Sequence, residues 1–302
     1  MVGAFRFDDR FHRTEEPTMP ALTTPSTWFV TGASRGLGLE LVTQLLTQGH
    51  NVAATTRSVG RLEKALDAID TARLLPLAVD LSDETAVIDA VTAAKGRFGS
   101  LDVVVNNAGY GFLGAVEEVT DLEARQMFDV QIFGVWNVLR AVLPDFRASG
   151  SGHIINISSI LGLTTFPGWG LYCAGKYALE GLTGSLAQEV AEFGIRVNLV
   201  EPGYMQTDFL TANSLGLPTS TADGYAAVRD MTAAHQAMPG TQLGDPAKAA
   251  AAIIRLAEDV DTPLHQLLGS DSLGIASGAL EALAAEIEQG RELAMTTDIL
   301  QA

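Results

Sequence analysis

The chain has 302 residues, of which 47% are hydrophobic, 7% are aromatic and 30 are glycine, a composition typical of a globular α/β protein and not of a disordered or fibrous one. Its 36 acidic side chains outnumber the 19 basic ones and give a net charge of −17, which disfavours nucleic acid and anionic membranes as partners. No apolar run approaches about 18 residues, and the single cysteine, Cys173, excludes an intrachain disulfide and fits a reducing compartment.

The amino-terminal segment, residues 1–26, is predicted to be a flexible leader. It has no apolar period and contains Pro17, Pro20 and Pro25. Its beginning lacks the apolar core of a signal peptide, so we expect a cytoplasmic protein. One domain is expected over residues 27–302, because no linker interrupts that range.

A glycine-rich turn follows the first predicted strand, residues 27–31. Gly32, Gly36 and Gly38 lie in this turn, and apolar residues then recur at helical spacing as far as Gly49. A strand, a glycine turn and a helix in this order can bind a pyrophosphate, because glycine permits close approach of the backbone and the helix start offers free N–H groups. The pattern favours a dinucleotide site over a merely structural turn.

The end of the second predicted strand, residues 51–56, indicates which dinucleotide is bound. An acidic residue there would accept the ribose 2′-hydroxyl of NAD, whereas arginine suits the 2′-phosphate of NADP. No acidic residue follows this strand, but Arg57 and Ser58 do, and Arg35 lies in the glycine turn. We therefore predict NADP(H) as the cofactor; the alternative for Arg57 is a solvated loop cation.

Two further strands, residues 74–79 and 101–105, predict an open sheet. Asp80 is expected to begin a helix with a capping pattern from Ser82, and Asn106-Asn107-Ala108-Gly109 follows the fourth strand. Alternation of strands and helices predicts an α/β fold: a single doubly wound, Rossmann-like domain with a parallel sheet flanked by helices on both faces. Ligands bind beyond the carboxyl ends of such strands.

A hydroxyl, a phenol and an ammonium are brought together farther along the chain. The buried strand predicted over residues 153–157 ends at Ser158 and Ser159, and a helix is predicted from Leu171 to Phe193. Tyr172 and Lys176, four residues apart, therefore lie about one turn apart on one face.

Tyrosine titrates near 10, so a neighbouring ammonium that favours the phenolate would bring the pKa of Tyr172 toward the working range of an acid or base. The serine hydroxyl could hold a substrate oxygen. By itself the Tyr172 and Lys176 pair is equally compatible with two exposed side chains on a helix surface.

The remaining elements complete one α/β unit. A long helix is predicted over Leu122–Leu143 and broken by Pro144, and a strand over Ile195–Val200. Residues 208–244 are predicted to be a flexible segment over the site that governs substrate choice. Helices are predicted over Pro246–Glu258 and from about Ala276 to Leu293. No metal site is predicted.

These motifs, in this order, resemble the short-chain dehydrogenase/reductase family over residues 27 to about 210. The residues that carry the resemblance are Thr31-Gly32-x-x-x-Gly36-x-Gly38, Asp80, Asn106-Asn107-Ala108-Gly109, Ser159, Tyr172-x-x-x-Lys176, Pro202-Gly203 and Thr207. The resemblance implies that Ser159, rather than Ser158, acts with Tyr172 and Lys176 in catalysis.

The resemblance also implies a set of cofactor contacts. Asp80 is expected near the adenine, Asn107 is expected to support the cofactor side, and Thr207 is expected near the nicotinamide amide. The full predicted cofactor set is Gly32, Ser34, Arg35, Gly36, Leu37, Gly38, Arg57, Asp80, Leu81, Asn107, Ala108, Gly109, Tyr172, Lys176, Pro202, Gly203 and Thr207.

The chain departs from the family pattern at one position. Where the family usually has an asparagine that holds a water of the proton relay, this sequence has Gln131. Glutamine carries the same amide one methylene farther out, so Gln131 either serves the relay with a shifted water or blocks it. We include Gln131 among the candidate catalytic residues.

The expected activity is reversible, NADP(H)-dependent reduction of a lipophilic ketone or aldehyde to an alcohol. The expected pocket lining carries no charge: Tyr110, Phe112, Leu161, Phe166, Trp169, Leu171, Tyr204, Met205, Phe209 and Leu210. The alternative is a catalytically weak protein of the same fold that binds NADP and responds to it. The resemblance further implies a homodimer or homotetramer that pairs through the two long helices.

Overall fold

The computed structural model describes residues 22 and 24–299. Most of the predicted flexible leader, residues 1–26, therefore lies outside the described residues. Ser26 belongs to the folded part, because it is buried and its hydroxyl lies 2.8 Å from Nδ1 of His50.

A seven-stranded, wholly parallel sheet forms the centre of the protein, with the strand order β3-β2-β1-β4-β6-β7-β9. A separate pair, β5 and β8, is also parallel. The strands are β1 (Thr27–Val30), β2 (Asn51–Thr56), β3 (Leu74–Ala78), β4 (Val103–Asn106), β5 (Gly111–Phe112), β6 (Gly152–Ile157), β7 (Ile195–Pro202), β8 (Leu215–Gly216) and β9 (His265–Leu268).

Helices cover both faces of this sheet, which confirms the predicted α/β, Rossmann-like fold class. They are α1 (Gly36–Thr47), α2 (Val59–Ala65), α3 (Glu84–Phe98), α4 (Asp121–Phe128), α5 (Gly134–Ser149), α6 (Gly170–Val190), α7 (Ala226–Gln236), α8 (Pro246–Glu258), α9 (Ser270–Gln289) and α10 (Arg291–Met295). None of these helices combines the length and apolar character that a membrane crossing needs.

The alternation of side chains along the strands builds one core on each face of the sheet. On one face Trp28 and Val30 pack against α1 and α8 through residues such as Leu41 and Ile253. On the other face Phe29 and its neighbours pack against α3, α5 and α6. Both faces of the central strands are therefore apolar, as parallel sheets require.

The predicted long helix differs from the observed one in two ways. It is divided into α4, a π-helical turn over Asp129–Phe133, and α5. It also continues through Pro144 to Ser149, so the prediction that Pro144 breaks it is wrong. Pro144 lies on the exposed face of α5, where water can bind the carbonyl that its missing N–H leaves free.

The remaining differences between the predicted and the observed structure concern where helices begin and which short elements are present. The helix after Asp80 begins at Glu84, because Asp83, and not Ser82, caps it by accepting from the backbone N–H groups of Thr85 and Ala86. Residues 208–244 include α7, so they are not all loop. Helix α2 and strand β9 were not predicted from the sequence, and α9 begins six residues before the predicted Ala276.

His153 at the start of β6 gives the fold a pH dependence. Its side chain is 1% exposed and its Nε2 lies 2.5 Å from Oδ1 of Asn198. Burial, followed by the charge of Arg196, lowers the pKa of His153 from its ordinary 6.5 to about 3. The unfolded chain therefore binds a proton near pH 6.5 that the folded chain binds only near pH 3.

We predict that stability falls as pH decreases from 6.5 toward 3, by roughly 1.4 kcal/mol per pH unit from this group. Urea unfolding of the wild type and of His153→Gln at pH 7 and pH 5 measures the effect. The variant should lose part of the wild-type difference between the two pH values. An equal difference in both proteins would show that His153 does not cause it.

Candidate active site

A cavity of about 430 Å³ opens at the carboxyl ends of the parallel strands. Residues that follow β1, β2, β3, β4, β6 and β7 line it, and residues 208–214 and α7 contribute one wall. It lies where β1 and β4 are neighbours, the point at which the strand order reverses direction. Open α/β sheets bind ligands at this point.

The glycine turn after β1 contacts the turn after β4. A Cβ on Gly32, whose φ is +68°, would lie 2.7 Å from Cα of Ala108, and one on Gly38 would lie 2.4 Å from Nδ2 of Asn107. Nδ2 of Asn107 donates to the carbonyl of Thr31 at 2.9 Å and holds the turn in place. Only glycine fits at either position.

A pyrophosphate site also needs free N–H groups at a helix start, and α1 provides them. Arg35 occupies the N-cap position, but its side chain makes no capping hydrogen bond. The first N–H groups of α1 are thus open to an anion, beside a backbone with no Cβ at Gly36. The residues present therefore fit a dinucleotide.

Three arginines line the same end of the cavity: Arg35, Arg57 and Arg61. Burial lowers the pKa of Arg35, and the charges of Arg57 and Arg61 lower it further, so the three guanidinium groups form one positive region. Arg61 was not among the predicted residues. It lies on α2, four residues after Arg57. Because that short helix was not predicted from the sequence, the proximity of Arg61 to Arg57 was not expected.

Asp80 also lines the cavity, next to Leu81. Its carboxylate accepts from the hydroxyl of Ser82 at 2.7 Å and from the backbone N–H of Ser82 at 3.0 Å. These two bonds lower the pKa of Asp80, which keeps the carboxylate ionised.

The structure brings Ser159, Tyr172 and Lys176 together at the centre of the cavity. Nζ of Lys176 lies 5.6 Å from the centroid of the Tyr172 ring and donates to the carbonyl of Ile157 at 2.9 Å. The hydroxyl of Ser159 lies near that of Tyr172 and accepts from the backbone N–H of Leu161 at 3.1 Å. Tyr172 and Lys176 are each 5% exposed, so they are not a solvated pair on a helix surface.

Burial shifts the pKa values of Tyr172 and Lys176 in directions that differ from the sequence-based prediction. It raises the pKa of Tyr172, which the nearby hydroxyl of Ser159 lowers only in part, and it lowers the pKa of Lys176 to about 8. The expected lowering of the tyrosine pKa by Lys176 is therefore not observed. Tyr172 is a neutral phenol at pH 7.

Gln131 lies behind the cavity wall, within the π-helical turn, and is 1% exposed. Its Nε2 donates to the carbonyl of Tyr110 at 2.8 Å, and its Oε1 is buried with no hydrogen-bond partner. A Cβ on Gly109 would lie 3.8 Å from Cδ of Gln131 and 3.9 Å from Nζ of Lys176. The amide and the ammonium are thus neighbours across Gly109.

The other predicted residues are placed as follows. Two predicted residues, Gly38 and Gln131, do not line the cavity. Gly38 packs against Asn107 and the carbonyl of Gly32, and Gln131 lies next to Gly109. The remaining predicted catalytic and cofactor residues all line it: Gly32, Ser34, Arg35, Gly36, Leu37, Arg57, Asp80, Leu81, Asn107, Ala108, Gly109, Ser159, Tyr172, Lys176, Pro202, Gly203 and Thr207.

The far end of the cavity is mostly apolar and aromatic. Of the ten predicted pocket residues, Phe112 and Leu171 do not line it. Phe112 belongs to β5 and its ring covers Gly216 of β8, while Leu171 lies on α6 next to Tyr172 and so points to another side of that helix. The other eight residues line the cavity: Tyr110, Leu161, Phe166, Trp169, Tyr204, Met205, Phe209 and Leu210.

His235 adds an imidazole to this aromatic end. It lies on α7, is 2% exposed, and its Nε2 is 2.9 Å from the hydroxyl of Tyr204. Its ring also packs edge-on against Trp169 at 5.1 Å between centroids. His235 was not predicted from the sequence, because residues 208–244 have the composition of a flexible segment and the helix that carries His235 was not expected there.

The model of the short chain dehydrogenase family matches residues 26–216. Oxidoreductase BOA17 of Botryotinia fuckeliana is 36% identical over 270 residues, which cover 89% of this chain and 98% of that protein. The 3-ketodihydrosphingosine reductase of Bacteroides thetaiotaomicron is 39% identical over 202 residues, covering 67% and 72%.

Solved structures agree with these matches. A short-chain dehydrogenase from Streptomyces avermitilis superposes with a TM-score of 0.85 at 35% identity, covering 91% of this chain and all of that one. A short chain dehydrogenase from Burkholderia cenocepacia J2315, solved in complex with NADP, gives a TM-score of 0.67 at 27% identity, covering 87% and 96%.

Replacement of Gly38 by alanine should prevent dinucleotide binding, because the new Cβ would lie within 2.6 Å of both Asn107 and the Gly32 carbonyl. Ligand titration by calorimetry and a melting curve measure the effect. Gly184→Ala in α6 is the matched control, since nothing lies within 4 Å of its Cβ position. Alanine there should leave binding intact and stabilise the helix by up to about 1 kcal/mol. Unchanged binding in Gly38→Ala would contradict the proposed packing.

Proposed function

The chain is an oxidoreductase that belongs to the short-chain dehydrogenase family, and from that premise we propose that it reduces lipophilic ketones or aldehydes to alcohols, reversibly, with NADP(H). The observation that carries the proposal is the convergence of Ser159, Tyr172 and Lys176 in one buried cavity. That cavity has a positive region at one end and an aromatic region at the other.

The cationic end supports the choice of cofactor. Arg35, Arg57 and Arg61 line the cavity and can supply cations to a 2′-phosphate, although Arg35 also donates to the carbonyl of Asn213, and no carboxylate directly follows β2 to accept a 2′-hydroxyl. NADPH, when bound, supplies the hydride. The glycine turn and the open start of α1 would hold its pyrophosphate, and Lys176 its nicotinamide ribose.

The proton for the reduction comes from a side chain of the protein. Ser159 and Tyr172 hold the substrate oxygen, and Tyr172 donates its proton to that oxygen as the carbonyl is reduced. Because burial keeps the phenol neutral at pH 7, Tyr172 is in the form that reduction needs. Lys176 offsets the negative charge that the tyrosine acquires.

The relay of protons back to Tyr172 is proposed to involve Gln131. Its unpartnered Oε1 is a free acceptor against α6, 3.5 Å from the position that a Cβ on Gly175 would take, and it lies one methylene farther out than an asparagine would place it. A bridging water between this oxygen and the ammonium would satisfy both groups.

The aromatic end supports an uncharged, lipophilic substrate. Phe166, Trp169 and Phe209 form its walls, and the polar atoms there come from Tyr204 and His235. Apolar walls with few polar groups favour extended apolar molecules over sugar phosphates. The similarity to a protein named 3-ketodihydrosphingosine reductase is consistent with a keto substrate.

We also propose that the protein forms a homodimer or homotetramer. Large apolar side chains on the π-helical turn, α5 and α6 remain exposed, namely Phe133, Trp136 and Tyr177. Contact between two copies through these helices would cover them.

Replacement of Tyr172 by phenylalanine should lower turnover by about 10²- to 10⁴-fold, since it removes the proton donor. NADPH oxidation followed by absorbance against a panel of lipophilic ketones and aldehydes measures turnover, and NADPH fluorescence measures binding, which should persist. Tyr177→Phe, an exposed residue of the same helix, is the control. Full turnover in Tyr172→Phe refutes this role, whereas NADPH binding without turnover in the wild type favours the binding-protein alternative.

Replacement of Arg57 by alanine should weaken NADPH more than NADH. The loss of one charge-assisted hydrogen bond to a phosphate costs about 1.5–3 kcal/mol, roughly a 10- to 100-fold rise in KM for NADPH. Arg73→Ala, remote from the cavity, serves as the control. If the KM ratio of the two cofactors does not change, Arg57 is a solvated loop cation.

A further inference from the structure

A second group of chemically active side chains lies outside the residues used above. Glu180 of α6, Glu201 of β7 and His265 of β9 place one ligand atom each within 4.8 Å of one another. These three residues, the Glu180–Glu201–His265 cluster, come from three different elements. No short sequence spacing could have indicated them, because 21 and 64 residues separate them along the chain.

Two carboxylate oxygens in this cluster are unsatisfied. Nδ1 of His265 lies 2.6 Å from Oε1 of Glu201 and 3.6 Å from Oε2 of Glu180. The hydroxyl of Ser158 donates to Oε1 of Glu180. Oε2 of Glu180 and Oε2 of Glu201 are buried and have no hydrogen-bond partner, and the Glu201 side chain is 0% exposed.

Two buried carboxylates need positive charge nearby. Among the described residues, His265 is the basic side chain that forms an ion pair with either of them. Lys176, one turn before Glu180 on α6, donates to the carbonyl of Ile157 and attracts Glu180 only from beyond ion-pair distance. One imidazole does not balance two carboxylates, and an unpaired buried charge costs several kcal/mol or takes up a proton.

We propose that Glu180, Glu201 and His265 bind one divalent cation of the kind that accepts both carboxylate oxygen and imidazole nitrogen, such as Zn²⁺ or Mn²⁺. Carboxylate and imidazole ligands lie about 2.0–2.2 Å from Zn²⁺, which places two ligands of one ion about 3–4 Å apart. The 3.6 Å between Nδ1 of His265 and Oε2 of Glu180 lies in that range. The 2.6 Å between Nδ1 and Oε1 of Glu201 is a hydrogen-bond distance and would lengthen when the ion replaces the shared proton.

The surroundings of the cluster suit an ion as well. The His265 side chain is 51% exposed, so an ion can enter from solvent and be completed by water. Ser158 holds Glu180 from outside the ligand set, as hydrogen-bonded neighbours of metal ligands do. Binding through Nδ1 releases the proton shared with Glu201 to solvent.

The test uses the full chain, stripped of metal with a chelator and then titrated by calorimetry with Zn²⁺, Mn²⁺ and, for comparison, Mg²⁺. We expect one Zn²⁺ or Mn²⁺ per chain, with Mg²⁺ at least tenfold weaker because it disfavours imidazole. Co²⁺ gives a second readout through its visible absorption. None of these measurements depends on catalytic activity, so they are independent of the proposed function.

Glu201→Gln and His265→Asn should each weaken Zn²⁺ or Mn²⁺ binding by about tenfold or more. Glu189→Gln, an exposed carboxylate on the same helix, should not. His265 lies at the surface, so His265→Asn tests the site even if Glu201→Gln does not fold. Absence of binding at millimolar metal, or equal binding by wild type and His265→Asn, would overturn the proposal and leave a shared proton as the counter-charge.

Discussion

The contact between the turns after β1 and β4 is the constraint on which the rest of the site depends. Gly32 and Gly38 allow the backbone of one turn to touch Ala108 and Asn107 of the other, and Asn107 fixes the distance with its hydrogen bond to Thr31. This contact closes the floor of the cavity at the point where the sheet reverses its order. The start of α1 is then presented to the cavity without a side chain over it.

The sequence was sufficient for the fold and for most of the site, because each motif is local. The glycine turn occupies a few consecutive residues after an apolar strand, and Tyr172 and Lys176 lie one turn apart within one helix. What it could not provide depends on contacts between distant segments. His235 reaches the cavity only because α7 folds back onto Trp169, and Pro144 is tolerated only because its side of α5 is exposed.

The pKa of Tyr172 is a second property that could not be predicted from the sequence, because it depends on burial. The sequence indicates that an ammonium lies near the phenol, and the expected consequence is a lower tyrosine pKa. Burial of both groups reverses the direction, because the cost of removing water from the phenolate exceeds the attraction of an ammonium that is itself partly destabilised and bonded to Ile157. The resulting neutral phenol suits a proton donor better than the ionised one would.

The end of β6 explains how α6 can bury three polar groups in a row. Tyr172, Lys176 and Glu180 are spaced four residues apart, so they form one stripe of α6. Three consecutive residues at the end of β6 meet them: the hydroxyl of Ser159 lies near Tyr172, the carbonyl of Ile157 accepts from Lys176, and Ser158 donates to Glu180.

Each residue at the end of β6 therefore serves a different turn of the helix. A shift of β6 by one residue would separate all three pairs at once, and the buried polar groups of α6 would lose these partners. The register of β6 against α6 thus connects the catalytic group to the Glu180–Glu201–His265 cluster. The two neighbouring serines therefore have different roles. Ser158 holds Glu180, whereas Ser159 belongs to the catalytic group.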